Sequence, residues 1–102
     1  MSFNNLNDAV NSLQDKMQNV DNEVKTLQVT KEAGAGLVKT TVSGTNRILD
    51  ITIDDQLMNE EDKEMLQDLI IASVNMAMEE VEEKAKEMRE KVSMDILGAL
   101  AK

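Results

Sequence analysis

The sequence has no cysteine, histidine, proline, tryptophan or tyrosine, and Phe3 is its one aromatic residue. Without cysteine and histidine there are no disulfides, no thiolate chemistry, no Cys/His zinc site, no imidazole acid–base catalysis and no Ser-His-Asp triad. With one aromatic ring, stacking on single-stranded bases is not expected. No apolar run approaches the ~18 residues needed to span a bilayer. No basic start with a long apolar stretch follows Met1, so no signal peptide is expected. These absences point to a soluble, cytoplasmic protein with no membrane partner.

What remains is enough for one small domain. The chain has 102 residues, and 41% are apolar, so a core of Leu, Ile, Val, Met and Ala can form. A domain this small buries a modest share of its surface, and oligomerisation would add to it. Charge is uneven. Residues 1–26 carry two bases against four acids, 27–53 carry three against two, and 54–102 carry six against fourteen, for a net −9. Such acidity normally repels nucleic acid and anionic membrane.

Leu6, Val10, Leu13, Met17, Val20, Val24 and Leu27 are spaced alternately by four and three. This a/d stripe predicts a first helix within residues 1–26, from about Asn5 to about Thr26. An ordinary amphipathic helix and a coiled-coil arm both fit it. The period then becomes two. Strands are expected at Leu27 to Glu32, at Leu37 to Ser43 with Val38, Thr40 and Val42 on one face, and at Ile48 to Ile53 with Leu49, Ile51 and Ile53 on one face. That is a three-stranded antiparallel meander over 27–53. It needs a covering layer.

Asn59, followed by Glu60, Glu61 and Asp62, reads as a helix start: an N-cap with acids in the first turn. A long helix over 59–92 is expected, since no glycine or proline interrupts it. Its first half is broadly apolar and should lie on the sheet. Its second half narrows to Val81, Ala85, Met88 and Val92 and should project as an arm whose seam needs a partner; a second copy is the simplest one. The tail, residues 93–102, reads as a short extra helix or a frayed end. The fold class is α+β, a single domain over residues 1–102 in the order α-β-β-β-α. The packing or dimer candidates are Leu13, Met17, Val20, Val24, Val38, Val42, Leu49, Ile51, Ile53, Val81 and Met88.

Glu32 to Gly44 reads EAGAGLVKTTVSG. Its glycines do not match a P-loop, because no Lys-Ser/Thr follows and a strand comes next. A dinucleotide fingerprint fails too, for Lys39 stands where the third glycine should be. A hairpin turn with Gly34 or Gly36 at positive φ is the reading these residues support. Closely spaced glycines would also let another backbone approach, for instance across a dimer sheet.

This block, with the strand ILDITIDDQL and the helix segment DKEMLQDLIIASVNMA, resembles the YbaB/EbfC family of bacterial nucleoid-associated proteins. The resemblance runs from about Leu13 to Glu83. It implies a tweezer-like homodimer with projecting helical arms that binds double-stranded DNA. The chain departs from the family pattern at Asp55, where a proline is usual, and at Met76, where an aspartate is usual.

DNA affinity comes mainly from Lys and Arg displacing counterions at phosphates. The densest basic cluster is Lys84, Lys86, Arg89 and Lys91 on the expected arm. Lys16 and Lys25 on the first helix, and Lys31, Lys39 and Arg47 on the sheet, are the other candidates. Interleaved glutamates could consume the arm charge through Glu80–Lys84, Glu82–Lys86, Glu83–Lys86 and Glu87–Lys91 pairs. A self-paired helix face and a phosphate grip both remain open.

No enzyme is expected. The acids at Asp54, Asp55, Glu60, Glu61 and Asp62 read as capping and dipole residues, and no EF-hand spacing is present. The methionines read as core and seam filling. No cofactor, metal or small-molecule substrate is expected. The expected function is that of a homodimeric nucleoid protein binding duplex DNA through phosphates with little sequence specificity. The alternative is a small dimeric adaptor that grips a protein partner through its arms.

Overall fold

A computed structural model describes residues 3–100; residues 1–2 and 101–102, which belong to the expected first helix and tail, lie outside the described residues. The elements are α1 (Phe3–Lys25), β1 (Gln28–Ala33), β2 (Val38–Ser43), β3 (Ile48–Ile53), a short 3-10 turn (Asp55–Leu57) and α2 (Lys63–Leu100). The sheet is antiparallel in the order β1-β2-β3. This is the expected α-β-β-β-α architecture.

The β1–β2 turn is the glycine segment. Gly34, Ala35 and Gly36 all take positive φ, at 65°, 56° and 89°. The Leu37 N–H closes the turn on the Gly34 carbonyl at 3.3 Å. So the segment turns a hairpin, as its flanking strands imply. The β2–β3 turn is held by Ser43, whose N–H donates to the Arg47 carbonyl at 2.8 Å, with Asn46 at φ 62°.

α2 covers the sheet only in part. Val29, Val42, Ala77 and Val81 form the core, with Leu27 and Met78 against it. Thr40 and Ser73 meet in the same layer through a buried 2.7 Å hydroxyl contact. Ala77 is fully buried and small, which lets α2 lie close on β1 and β2. β3 is left uncovered: Ile48, Leu49 and Ile51 are 48%, 49% and 37% exposed. Of the expected apolar face Leu49, Ile51 and Ile53, the single chain half-buries Ile53 and leaves Leu49 and Ile51 exposed. A bulge adds to the change. Thr41 pairs with Asp50, but Val42 pairs with Ile48, so Leu49 is the extra residue and Ile48 stands opposite Val42.

Both limits of the long helix differ from expectation. Asn59 does cap, but one turn early: its Oδ1 accepts from the Asp62 N–H at 2.8 Å. The regular helix starts at Lys63, and the Leu66 N–H donates to the Asp62 carbonyl at 2.8 Å. At the other end α2 runs unbroken to Leu100, so residues 93–100 are neither a separate helix nor irregular. Val92, Ile96 and Ala99 continue the apolar stripe by steps of four and three, and α1 lies along it.

The result is elongated. The chain measures 72 × 19 × 14 Å with a radius of gyration of 20.3 Å, against about 13 Å for a compact domain of this length. The excess comes from an arm in which α1 and the second half of α2 run antiparallel.

Candidate nucleic-acid interface

The arm is tight at its root and open toward its tip. On α1, Val20 and Val24 are each 3% exposed, while Met17, Val10 and Leu6 rise to 36%, 43% and 49%. On α2, Val81 and Ala85 are buried, Met88, Val92 and Ile96 are half-buried, and Met94 and Leu97 are exposed. The expected seam therefore exists, but its root is filled by α1 of the same chain.

The root is anchored by a close backbone approach. The Gly44 N–H donates to the Leu27 carbonyl at 3.0 Å. A Cβ on Gly44 would stand 1.6 Å from the Val24 carbonyl oxygen. Within the chain the close backbone approach is at Gly44, not in the Gly34–Gly36 turn, where the nearest atoms are side chains. Nothing in the spacing marks Gly44 out from an ordinary turn glycine.

The basic cluster of the arm is divided by the helix itself. Residues two apart on an α-helix point about 200° from one another, and residues seven apart nearly coincide. Lys84 and Lys91 thus share one flank of α2, and Lys86 and Arg89 lie on the other. Both bases of the second flank have a carboxylate nearby. The Arg89 Nε donates to Asp21 Oδ1 on α1 at 3.3 Å, and Lys86 Nζ lies 3.9 Å from Glu90. The four pairs anticipated along the helix do not form. Glu80 instead reaches Lys31 on β1 at 3.1 Å, because the sheet offers it a closer cation than Lys84. Lys39 pairs across the strands with Glu32 at 3.5 Å. Among the described residues, Lys16, Lys25, Arg47, Lys84 and Lys91 have no carboxylate at ion-pair distance.

The remaining candidates are dispersed. Lys39 sits on the polar face of the sheet, turned away from α2, Arg47 in the β2–β3 turn and Lys25 at the last turn of α1. The packing candidates divide cleanly. Val20, Val24, Val38, Val42 and Val81 are buried within the single chain; Leu13, Ile53 and Met88 are half-buried; Met17, Leu49 and Ile51 are exposed.

One flank of the molecule is apolar and unpartnered. Glu80 reaches toward β1, so the side of α2 half a turn away, which carries Ile71, Val74 and Met78, is turned toward β3. Ile71, on that side of the helix, is 58% exposed, as Ile48 and Ile51 of β3 are at 48% and 37%. Ile48 and Ile71 were not among the sequence candidates. The total exposed area is 7427 Å², against about 5,700 Å² for a compact monomer of this mass.

At the strand-to-helix junction, Asp54 Oδ1 accepts from the Gln56 N–H at 2.9 Å, a capping role that needs no proline at position 55. Among the described residues no cluster of acids is arranged to hold a metal ion. No helix of the described residues is long and apolar enough to cross a membrane.

A chain of this α-β-β-β-α form has counterparts among known proteins. The family model described as the YbaB/EbfC DNA-binding family matches residues 1–96. The chain belongs to that family. The match extends beyond the Leu13-to-Glu83 stretch that carries the sequence resemblance and takes in most of the arm. Among solved structures, this YbaB/EbfC member is similar to an uncharacterized protein, HP0035, from Helicobacter pylori. The two are 26% identical, the alignment covers 95% of this chain and 98% of the other, and the TM-score is 0.69. Membership makes DNA the partner class against which the arm's geometry is to be read.

Proposed function

We propose that this YbaB/EbfC protein is a non-enzymatic homodimer of the bacterial nucleoid. It binds double-stranded DNA in the cytoplasm through phosphate contacts with little sequence specificity. The observation that carries the dimer is the unpartnered flank of Ile48, Ile51 and Ile71 beside the open edge of β3. An exposed apolar flank along a free strand edge favours association with a matching surface, and a two-fold pair supplies one. Two arms then project from one core, each bearing exposed lysines. The acidic balance of the chain makes the grip weak, and its reliance on phosphate contacts makes it strongly dependent on salt.

The test is a titration of two unrelated duplexes at two salt concentrations. The expected result is equal affinity for both and a steep fall with salt. Light scattering at micromolar concentration should give twice the mass of the chain, 11.3 kDa. A monomeric mass removes the dimer. One observation favours a second reading, an adaptor for a protein partner: Met94 and Leu97, near the arm tip, are 71% and 66% exposed. That reading gains if no duplex is retarded at any salt.

A further inference from the structure

We propose that the duplex is met by one flank of the arm, the one bearing Lys16, Lys84 and Lys91, and that Lys86 and Arg89 face away from it. The inference rests on the DNA-binding reading above. It begins with direction. Lys84 and Lys91 lie about 10 Å apart along nearly the same line of α2, while Lys86 and Arg89 point roughly half a turn round the helix. A rigid duplex approaching one arm touches one of these flanks.

Three observations choose between them. Lys16 and Asp95 line the same groove between α1 and α2, and Lys91 is one helical turn from Asp95, so Lys16 and Lys91 border one side of the arm. These three lysines have no carboxylate within 4.0 Å among the described residues, whereas Arg89 Nε lies 3.3 Å from Asp21 and Lys86 Nζ 3.9 Å from Glu90, both exposed pairs. A cation already beside an anion gains less from a phosphate, because it must give up that partner. Finally, Lys86 and Arg89 share a groove with Gly44 and Asn46 of the β2–β3 turn. That is the side on which β3 is uncovered, and a second copy seated there takes the space a duplex would need.

The proposed flank is not purely basic. Glu23 and Asp95 line the Lys16 groove, and Glu87 lies one turn from Lys84 and from Lys91. The longer lysine stems carry their charge past these carboxylates, which weaken the contact without blocking it. This gives the test two opposite signs on one flank.

The experiment uses the full chain, duplex DNA and the slope of log affinity against log salt. Each lost phosphate contact lowers that slope by about 1. The K16A/K84A/K91A variant should lower it by about 3 per arm. The K86A/R89A variant should lower it by less than 1. The E87Q/D95N variant should tighten low-salt binding several-fold, and more than E82Q/E90Q does. All the substituted residues are exposed, and unchanged helical circular dichroism verifies the fold of each variant. The proposal is overturned if K86A/R89A removes the larger share of the slope, or if E82Q/E90Q tightens binding more than E87Q/D95N. Those outcomes leave the DNA-binding reading standing. If the wild type retards no duplex at any salt, that reading fails and this inference falls with it.

Discussion

Replacing Gly44 by alanine should unseat the arm from the sheet. The added Cβ would stand 1.6 Å from the Val24 carbonyl oxygen and 2.7 Å from its carbon. Ordinary contact begins near 3.4 Å, so the two backbones must part by about 2 Å. Two hydrogen bonds lie across that gap or beside it: Gly44 N–H to the Leu27 carbonyl at 3.0 Å and Leu27 N–H to the Val24 carbonyl at 3.1 Å. Losing both costs about 2 kcal/mol. Partly re-exposing Val24, now 3% accessible, adds about 1 kcal/mol. The sum is about 3 kcal/mol, a large part of the 5–15 kcal/mol that holds a typical domain. For a chain of this length it corresponds to a midpoint lowered on the order of 15 °C. The assay is a thermal melt followed by far-ultraviolet circular dichroism at one fixed protomer concentration, since a dimer's midpoint depends on concentration. Gly98→Ala is the control: a Cβ there meets nothing within 4 Å, and alanine is the better helix former by about 1 kcal/mol. It should not lower the midpoint. If Gly44→Ala melts within about 3 °C of the wild type, the close approach does not anchor the arm and the reasoning is wrong.

The Thr40–Ser73 contact should respond asymmetrically. Ser73 donates to the Ile70 carbonyl at 3.1 Å, so Thr40 supplies the hydrogen between the two hydroxyls. Ser73→Ala strands the buried Thr40 hydroxyl and should cost about 1–3 kcal/mol in a denaturant melt; Thr40→Val leaves Ser73 its carbonyl partner and should cost less. Adding Thr40→Val to Ser73→Ala should recover part of the loss. Ile51→Asp or Ile71→Glu puts a charge on the unpartnered flank, and light scattering should then report a monomer with helical content retained. Asp21→Ala breaks the half-exposed Arg89 pair and should change stability by less than about 1 kcal/mol, measured by the same melts.

Much of this fold was legible because it rests on local pattern. The alternating four–three spacing from Leu6 to Leu27 marks α1, and period-two runs mark the three strands. The glycine turn follows from the strands on either side of it. What escaped depends on neighbours far apart in the chain. Asp21 and Arg89 are 68 residues apart, and no spacing rule links them. On a helix crowded with glutamate and lysine, many local pairs are nearly equal in energy, so a cation from the sheet decides where Glu80 goes. The bulge at Leu49 is a matter of register, and it moved Ile48 to the face that alternation had assigned to Leu49. The helix lies on the sheet as its broad apolar half implies, but its width suffices for two strands, β1 and β2. The sequence could name the bases of the arm and note that Lys84 and Lys91 share a stripe. It could not show that Lys86 and Arg89 already have partners.

The arm's packing, closed at Val20 and Val24 and open by Leu6 and Leu97, has a mechanical consequence. A two-helix lever clamped at its base and loosely joined at its end grows more compliant along its length. Amide exchange should be slow around residues 78–88 and fast beyond 94. Such a lever yields to the contour of what it touches. On the DNA-binding proposal, such a surface would follow a duplex whose groove width varies from place to place, and would discriminate little between one stretch and the next.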